Sequence, residues 1–198
     1  MKYQYVVIER EYGSGGTEIG KRLSEKIDVP CYGNEILTGV AEKLRISVSD
    51  IQKYEETTTN SFLYSLYAIS KLNDGADSLL SNENQIFLEE QNLIREYAMY
   101  GSAIYIGRCA ACALDSKKVL KVFIHAPEEN RKKRAIEEYG IPANMVDSTL
   151  AKYDKKRKNS FYANTGKKWN DWNNYDIVLD SSKLGLDACV RIIQAAME

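Results

Sequence analysis

The chain has 198 residues, with 27 lysines and arginines against 28 aspartates and glutamates and a formal net charge of −1. This near balance argues against a basic nucleic-acid-binding protein and against an acidic disordered tail. No apolar stretch reaches the roughly 20 residues of a membrane-spanning helix, and the N-terminal apolar run is too short for a secretory signal. We therefore expect one cytoplasmic domain, residues 1–198, that acts on neither membranes nor nucleic acid.

Apolar runs alternate with helical segments along the chain, which predicts an α/β fold with a parallel sheet. A strand at residues 4–9 precedes a helix from Thr17 to about Ile27, and a short strand follows near Pro30–Tyr32. Residues from about 57 to 83 are polar and broken, and we interpret them as a helical insertion or flap. Three later strands have the near-continuous apolar character of a sheet covered on both faces: AIYIGR, VLKVFIHA and YDIVLD.

The sequence REYGSGGT joins the first strand to the first helix and is typical of a phosphate-binding loop without its usual lysine. In the pattern G-x-x-x-x-G-K-[ST], Thr17 takes the magnesium-binding position, Arg10 the place of the first glycine and Gly16 the place of the lysine. A second register, Gly15 to Arg22, starts too late after the strand, so we reject it. A plain strand-to-helix turn is the alternative. The residues predicted to hold the donor phosphates are Arg10, Gly13, Ser14, Gly15, Gly16 and Thr17, with Thr17 also binding Mg²⁺.

The cysteines Cys109 and Cys112 form a C-x-x-C pair, a pattern typical of redox sites and of half a zinc site. A structural zinc site needs two further ligands, and the sequence has no second pair of this kind. His125, the only histidine, lies inside an apolar run. We therefore predict that the pair serves packing, as buried free cysteines commonly do.

Five stretches of the chain, taken in order, resemble the cytidylate kinase-like family, a branch of the nucleoside monophosphate kinases. They are REYGSGGTEIG, IYIGRCA, VFIHAPEENRKKR, YDKKRKNSFYANTGKKW and NYDIVLDSS. The resemblance implies a P-loop kinase-like, three-layer fold whose five parallel strands have the order 2-3-1-4-5. It also implies a substrate flap at residues 57–83 and a lid-bearing helical segment at residues 127–168.

The resemblance also implies roles for five charged residues. Arg108 ends a strand where such kinases place an arginine on the acceptor monophosphate, and Arg131 and Arg134 stand where the lid begins. Asp154 and Arg157 belong to a second lid stretch, in which the aspartate orients an arginine or meets the acceptor's sugar. The flap is shorter than in a typical cytidylate kinase, and YGNEIL replaces the family's DSGAIYR. Cytosine specificity is therefore not implied.

The expected function is ATP- and Mg²⁺-dependent phosphoryl transfer to a small acceptor, most simply a nucleoside monophosphate. The alternatives are a nucleotide-binding sensor with little catalysis and a kinase for another metabolite. Because a triphosphate is highly charged, the missing lysine needs a substitute. We predict that Arg10 supplies a standing charge and that Arg131, Arg134 and Arg157 reach the donor when the lid closes. The alternative is that Arg10 pairs with Glu9 or Glu11 and only shapes the loop.

The substitution Gly15→Val tests the phosphate-loop interpretation. We expect it to abolish ATP binding and leave the fold intact, because a branched side chain would fill the space of the phosphate and oppose a glycine-type backbone. Calorimetric titration with an ATP analogue measures the binding, and circular dichroism checks the fold. Unchanged affinity in the variant would exclude a phosphate loop at this position.

Overall fold

The computed structural model describes residues 2–51 and 82–198, and the elements below are numbered within those ranges. The strands are β1 (Tyr5–Arg10), β2 (Cys31–Tyr32), β3 (Ala103–Ile106), β4 (Val119–His125) and β5 (Ile177–Asp180). The helices are α1 (Gly16–Ile27), α2 (Asn34–Leu44), α3 (Asn82–Ala98), α4 (Glu128–Glu137), α5 (Val146–Thr165), α6 (Ser181–Leu184) and α7 (Leu186–Ala196). The predicted flap, residues 57–83, lies outside the described residues except for its last two positions, which begin α3.

The five strands form one parallel sheet in the order β2-β3-β1-β4-β5, which confirms the predicted order. Strand β1 is central: Tyr5 pairs with Ala103 of β3 on one side and with Val119 of β4 on the other. The carboxyl ends of these three strands therefore meet at one edge. Open parallel sheets bind their ligands at that edge.

Helices cover both faces of the sheet, as the prediction required. Side chains alternate along β1 with the period of two that a strand imposes. Tyr5 and Val7 join the apolar core beneath α2 and α3, while Val6 and Ile8 join the core beneath α1 and α7. The resulting order of layers is helix, sheet, helix. Within the described residues, no helix is both long and apolar enough to cross a membrane.

Helices α4 and α5 make up most of the segment predicted to carry the lid. They share a small apolar cluster built from Ala135, Val146 and Leu150, against which Tyr12 of the loop after β1 also packs. Helix α5 has 20 residues and ends at Gly166, which takes the left-handed conformation with φ 68°. The cluster fixes α4 and α5 above the carboxyl edge of the sheet, next to the glycine-rich loop.

The end of α2 offers a test of the backbone geometry. Arg45 caps the helix in the left-handed region at φ 56° and ψ 39°, donating its N–H to the carbonyl of Ala41. Glycine relieves the left-handed strain of an L-residue there, and this gain outweighs its greater freedom in the unfolded chain. We expect Arg45→Gly to raise the free energy of unfolding by about 0.5–1 kcal/mol in urea denaturation.

The matched control is Glu42→Gly, three residues earlier on an exposed position of the same helix. Glycine there has no left-handed strain to relieve and should cost about 1 kcal/mol. If both variants shift the free energy of unfolding in the same direction, the helix does not end at Arg45 as described.

Candidate active site

The loop between β1 and α1 is held in a narrow space by its glycines. Gly13 and Gly15 have φ values of 79° and 78°, a region that favours glycine. A Cβ on Gly13 would lie 2.5 Å from the carbonyl oxygen of Arg131, and one on Gly15 would lie 2.7 Å from Cδ2 of Leu186. The sequence of the loop is therefore dictated by close packing against α4 and the start of α7. The substitution Gly15→Val would press on Leu186 and strain the backbone, so it should also lower the stability of the protein, contrary to the expectation of an unchanged fold.

The first turn of α1 presents the remaining predicted donor-site residues. Gly16 begins the helix, Ser14 is fully buried and its Oγ donates to the carbonyl of Glu11 at 2.8 Å, and Thr17 is exposed. The N-terminus of a helix attracts anions through its free N–H groups and its dipole. The hydroxyl of Thr17 is thus available beside the end of the helix where phosphate would bind.

Three arginines from the lid segment bind three carbonyls at the end of β1 and in this loop. Arg157 Nη1 donates to the carbonyl of Arg10 at 2.9 Å. Arg131 Nη1 and Arg134 Nη1 each donate at 3.1 Å, to the carbonyls of Tyr12 and Gly13 respectively. That these arginines reach the donor on lid closure stays a prediction; in this structure all three contact the loop or the end of β1. Because a trans peptide places its C=O and N–H on opposite sides, carbonyls held from outside turn the following N–H groups inward.

Asp154 ties the lid segment to the loop. Its Oδ1 accepts the backbone N–H of Tyr12 at 2.7 Å, and its Oδ2 lies 2.6 Å from Nη1 of Arg131. Arg131 Nε also donates to the carbonyl of Ala126 at 3.1 Å. Of the two roles that the family resemblance implied for Asp154, this geometry matches the orientation of an arginine, since both carboxylate oxygens are engaged within the protein.

Aromatic contacts also attach the loop to the lid segment. Tyr12 stacks on Tyr153 of α5 with ring centroids 4.6 Å apart and contacts the edge of Tyr139 at 5.8 Å. The guanidinium of Arg157 lies 5.7 Å from the centre of the Tyr12 ring. The loop is thus held by hydrogen bonds to its backbone and by stacking on its one aromatic side chain.

A cleft of about 330 Å³ opens beside the loop, between the ends of β1 and β3 and helices α2, α3 and α5. Its charged lining consists of Glu9, Arg10, Glu90, Arg108, Lys156 and Arg157. The rest of the lining comprises Asn34, Leu37, Phe87, Cys109, Tyr153, Ser160 and Phe161. One part of the cleft is therefore cationic and another is apolar and aromatic.

Arg108 stands at a strained turn that follows β3. Both Arg108 and Cys109 have positive φ values, 62° and 49°, which is uncommon for non-glycine residues and frequent at functional sites. Arg108 Nη1 lies 3.0 Å from Oε1 of Glu90, and Gln91 donates to the Arg108 carbonyl at 3.0 Å. Burial and the nearby Arg157 lower the pKa of Arg108 to about 10, so it stays charged at neutral pH.

Sequence analysis missed Glu90, the buried partner of Arg108. Burial raises the pKa of Glu90 to about 8, and the charge of Lys156 opposes this rise. A signal for this residue exists in the sequence. Glu90 lies midway between Ile86 and Ile94, four residues from each, and so occupies the buried stripe of α3. A carboxylate in an otherwise apolar stripe indicates a buried partner.

Glu9 and Trp169 form a second buried pair that was not predicted. The indole Nε1 of Trp169 donates to Oε2 of Glu9 at 3.2 Å, across 160 residues of sequence. Burial raises the pKa of Glu9. Its position as the last inward-facing residue of β1 hints at a special role, but nothing in the sequence indicates that a tryptophan after α5 is its partner.

Ser181 is a third residue that the sequence did not single out. It is buried, and its Oγ donates to the carbonyl of Ser14 at 2.6 Å. Asp180 caps the short helix α6 by accepting the N–H groups of Ser182 and Lys183. The cap fixes Ser181 beneath the loop, so the end of β5 contributes one more contact to the loop backbone.

Arg10 follows a course that the loop pattern alone does not indicate. Its stem lies against Gly16, and its guanidinium lies against Gly107 at the end of β3. The buried Nε has no hydrogen-bond acceptor among the described residues. Burial, together with Arg157 and Arg108 nearby, lowers the pKa of Arg10 to about 9. The side chain thus leaves the loop and enters the cleft with its charge intact.

The cysteines are free thiols. Cys109 is buried in the turn after β3, while Cys112 is exposed. In the part of the chain that the structure describes, no three His, Cys, Asp or Glu side chains are grouped to hold a metal ion. His125 stacks on Trp172 with ring centroids 5.5 Å apart.

Solved structures with this fold include other kinases. An uncharacterized protein from Eubacterium ventriosum ATCC 27560 superposes with a TM-score of 0.69 at 25% identity, covering 98% of this chain and 97% of that one. Shikimate kinase from Bacteroides thetaiotaomicron gives 0.57 at 12% identity, with coverages of 98% and 97%. At such low identity the second likeness shows the fold alone, which is that of the P-loop kinases.

Sequence comparison identifies more specific relatives. The cytidylate kinase of Methanopyrus kandleri is 26% identical over 196 residues, covering 94% of this chain and 89% of the relative. That of Pyrococcus horikoshii is 22% identical over 187 residues, with coverages of 94% and 84%. The family model described as "Cytidylate kinase-like family" matches residues 5–183. Because this match spans most of the chain, the protein belongs to the cytidylate kinase-like family, as its sequence motifs predicted.

Proposed function

We propose that this P-loop phosphotransferase moves a phosphoryl group from ATP to an anionic small acceptor, most simply a nucleoside monophosphate. The excess of cations in the cleft carries the proposal. Four cationic side chains line it within the described residues, Arg10, Arg108, Lys156 and Arg157, against the carboxylates of Glu9 and Glu90. Both carboxylates are engaged, by the indole of Trp169 and by Arg108. Arg10 and Arg157 add further positive charge to this lining, which favours an acceptor that brings its own negative charge.

The apolar wall of the cleft supports a planar group on the same acceptor. Leu37 and Phe87 are buried side chains of α2 and α3, and Phe161 faces them from α5. Aromatic and aliphatic surfaces of this kind bind flat rings, and a few polar groups then fix their orientation. Asn34 is exposed at the start of α2 and is a candidate for contacting the edge of a base.

The donor ATP is assigned to the loop from Gly13 to Thr17. The support is the positive φ values of Gly13 and Gly15, the tight packing of both glycines and the free first turn of α1. Thr17 fits a magnesium ligand because its hydroxyl is exposed beside that turn. When bound, Mg²⁺ would neutralise charge on the donor phosphates.

Phosphoryl transfer depends on positioning and on cations around the developing charge. In this proposal Arg108 and Arg157 bind the transferring or acceptor phosphates, since both line the cleft. Arg131, Arg134 and Asp154 are positioning residues, because they hold the loop backbone or one another. Their contribution is to keep the loop N–H groups aimed at the donor.

A panel of acceptors tests the proposal directly. With ATP in excess, coupled release of ADP should appear with at least one nucleoside monophosphate and exceed the rate with uncharged metabolites. Tight ATP binding without turnover on any acceptor would indicate a nucleotide sensor instead. Turnover confined to a non-nucleotide metabolite would replace the acceptor class and keep the kinase assignment.

The substitution Lys156→Ala tests whether the cleft binds the acceptor. Losing one charged contact to the acceptor phosphate should raise the acceptor KM about tenfold or more and leave the KM for ATP nearly unchanged. The matched control is Lys155→Ala, which removes an exposed lysine from the next position of α5. Equal effects of the two substitutions, or an effect of Lys156→Ala on ATP alone, would place the acceptor elsewhere.

A further inference from the structure

Two departures from the common phosphate-loop pattern lie in contact with each other. The pattern G-x-x-x-x-G-K-[ST] has glycine first and lysine seventh, whereas this chain has Arg10 first and Gly16 seventh. A Cβ built on Gly16 would lie 2.6 Å from Cβ of Arg10 and 2.9 Å from its Cγ. Carbon atoms that are not part of the same bonded group do not approach so closely in proteins. The stem of Arg10 therefore occupies the space from which a lysine at position 16 would start.

We propose that Arg10 replaces the loop lysine by a reciprocal exchange with Gly16 and binds the phosphoryl group in transit from the strand side of the loop. The inference rests on the proposed function, because it names the cation that the transferred phosphoryl group meets. It also accounts for both unusual residues at once. An arginine at the first position requires a glycine at the seventh, and a glycine at the seventh leaves the loop in need of a cation.

A third residue completes the exchange. Gly107 donates its N–H to the carbonyl of Ile8 at 3.0 Å, which fixes the end of β3 beside β1. Its φ is 72°, and a Cβ there would collide with Nη1 of Arg10. Gly107 thus leaves the space through which the guanidinium reaches the cleft. In the common pattern the lysine projects from the start of the helix. Here the arginine projects from the end of β1, and its side chain passes across the end of the neighbouring strand β3.

The guanidinium of Arg10 forms no ion pair with a carboxylate of the described residues. The two carboxylates nearest in sequence are engaged: Glu9 accepts the indole N–H of Trp169, and Glu11 accepts the N–H of Ala126 and lies 3.4 Å from Nε of Arg131. Within residues 2–51 and 82–198, no ion pair within 4.0 Å joins Arg10 to a carboxylate. The charge of Glu9 acts on Arg10 from a greater distance and opposes the fall in its pKa. This arrangement disfavours the alternative in which Arg10 only shapes the loop.

The surroundings of Arg10 are those of an anion site. All three arginine side chains line one cleft, those of Arg10, Arg108 and Arg157. Burial, and then repulsion by Arg157 and Arg108, lower the pKa of Arg10. Converging arginines repel each other unless an anion lies between them, and a guanidinium fork binds two phosphate oxygens at once. A phosphoryl group between donor and acceptor meets this requirement.

The test is a swap of the two residues, using four proteins: the wild type, Arg10→Gly, Gly16→Lys, and the double variant that carries both. Melting temperature is measured by scanning calorimetry and ATP affinity by titration calorimetry. Arg10→Gly should weaken ATP binding about 10- to 100-fold, the loss expected for a charge-assisted contact. Gly16→Lys alone should lower the melting temperature and abolish measurable ATP binding, because its stem collides with that of Arg10.

The double variant should bind ATP more tightly than either single variant and melt at a higher temperature than Gly16→Lys. Removing the arginine stem leaves Cβ of Ile124 as the nearest other neighbour, at 3.3 Å, which a small shift accommodates. Effects that simply add in the double-variant cycle, or a Gly16→Lys protein that is stable and binds ATP well, would overturn the exchange.

Two controls separate the sources of the effect. Arg10→Met keeps a long stem without charge and should retain the melting temperature while losing ATP affinity as Arg10→Gly does. Lys21→Ala removes an exposed lysine from the second turn of α1 and should change ATP affinity less than twofold. If Lys21→Ala causes the larger loss, the second register of the loop is correct and the exchange is wrong.

The result of the swap experiment does not depend on which acceptor the protein uses. If no acceptor in the panel is turned over, the proposed function fails, while rescue in the double variant still supports the exchange. If a monophosphate is turned over and the double variant shows no rescue, the proposed function stands and the exchange fails. The melting temperatures decide the steric part of the argument even where ATP binding is weak.

Discussion

The structure depends on holding a glycine-rich loop rigid from outside. Hydrogen bonds from Arg131, Arg134 and Arg157 fix three carbonyls at the end of β1 and in the loop, and Asp154 fixes one of the loop's N–H groups. A loop with so many glycines has a high conformational entropy when free. Backbone dipoles can bind an anion strongly only when they are oriented in advance. The arginines of the lid segment therefore act first on the protein itself.

The buried charged groups of the site include carboxylates that have partners and one arginine nitrogen that has no acceptor. Buried carboxylates hold particular groups in place, Glu90 with Arg108 and Glu9 with Trp169, and so limit where each side chain points. A buried charge without a partner is costly, which explains why each of these carboxylates has one. Arg10 is the exception among the described residues, since its buried Nε lacks an acceptor. Such an exception is expected where a ligand supplies the missing partner.

The topology brings these groups together at one edge. Strand β1 lies between β3 and β4, so the turns after all three strands adjoin. The donor loop follows β1, Arg108 follows β3, and Arg131 belongs to the helix that follows β4. The glycine-rich loop and the cationic side chains thus share one place without any long excursion of the chain, and the strand order 2-3-1-4-5 is the reason.

The sequence by itself determined the strands, the strand-loop-helix motif and the family, because these depend on local periodicity, on glycines and on motifs read in order. Of the six charged residues that line the cleft, it indicated three, Arg10, Arg108 and Arg157. Only the tertiary structure decided the partners of those charges. Trp169 meets Glu9 across 160 residues, and Asp154 meets Tyr12 across 142. The path of Arg10 between Gly16 and Gly107 is likewise a matter of packing. Such contacts leave no periodic trace in the sequence, because they depend on how distant segments pack at the edge of the sheet.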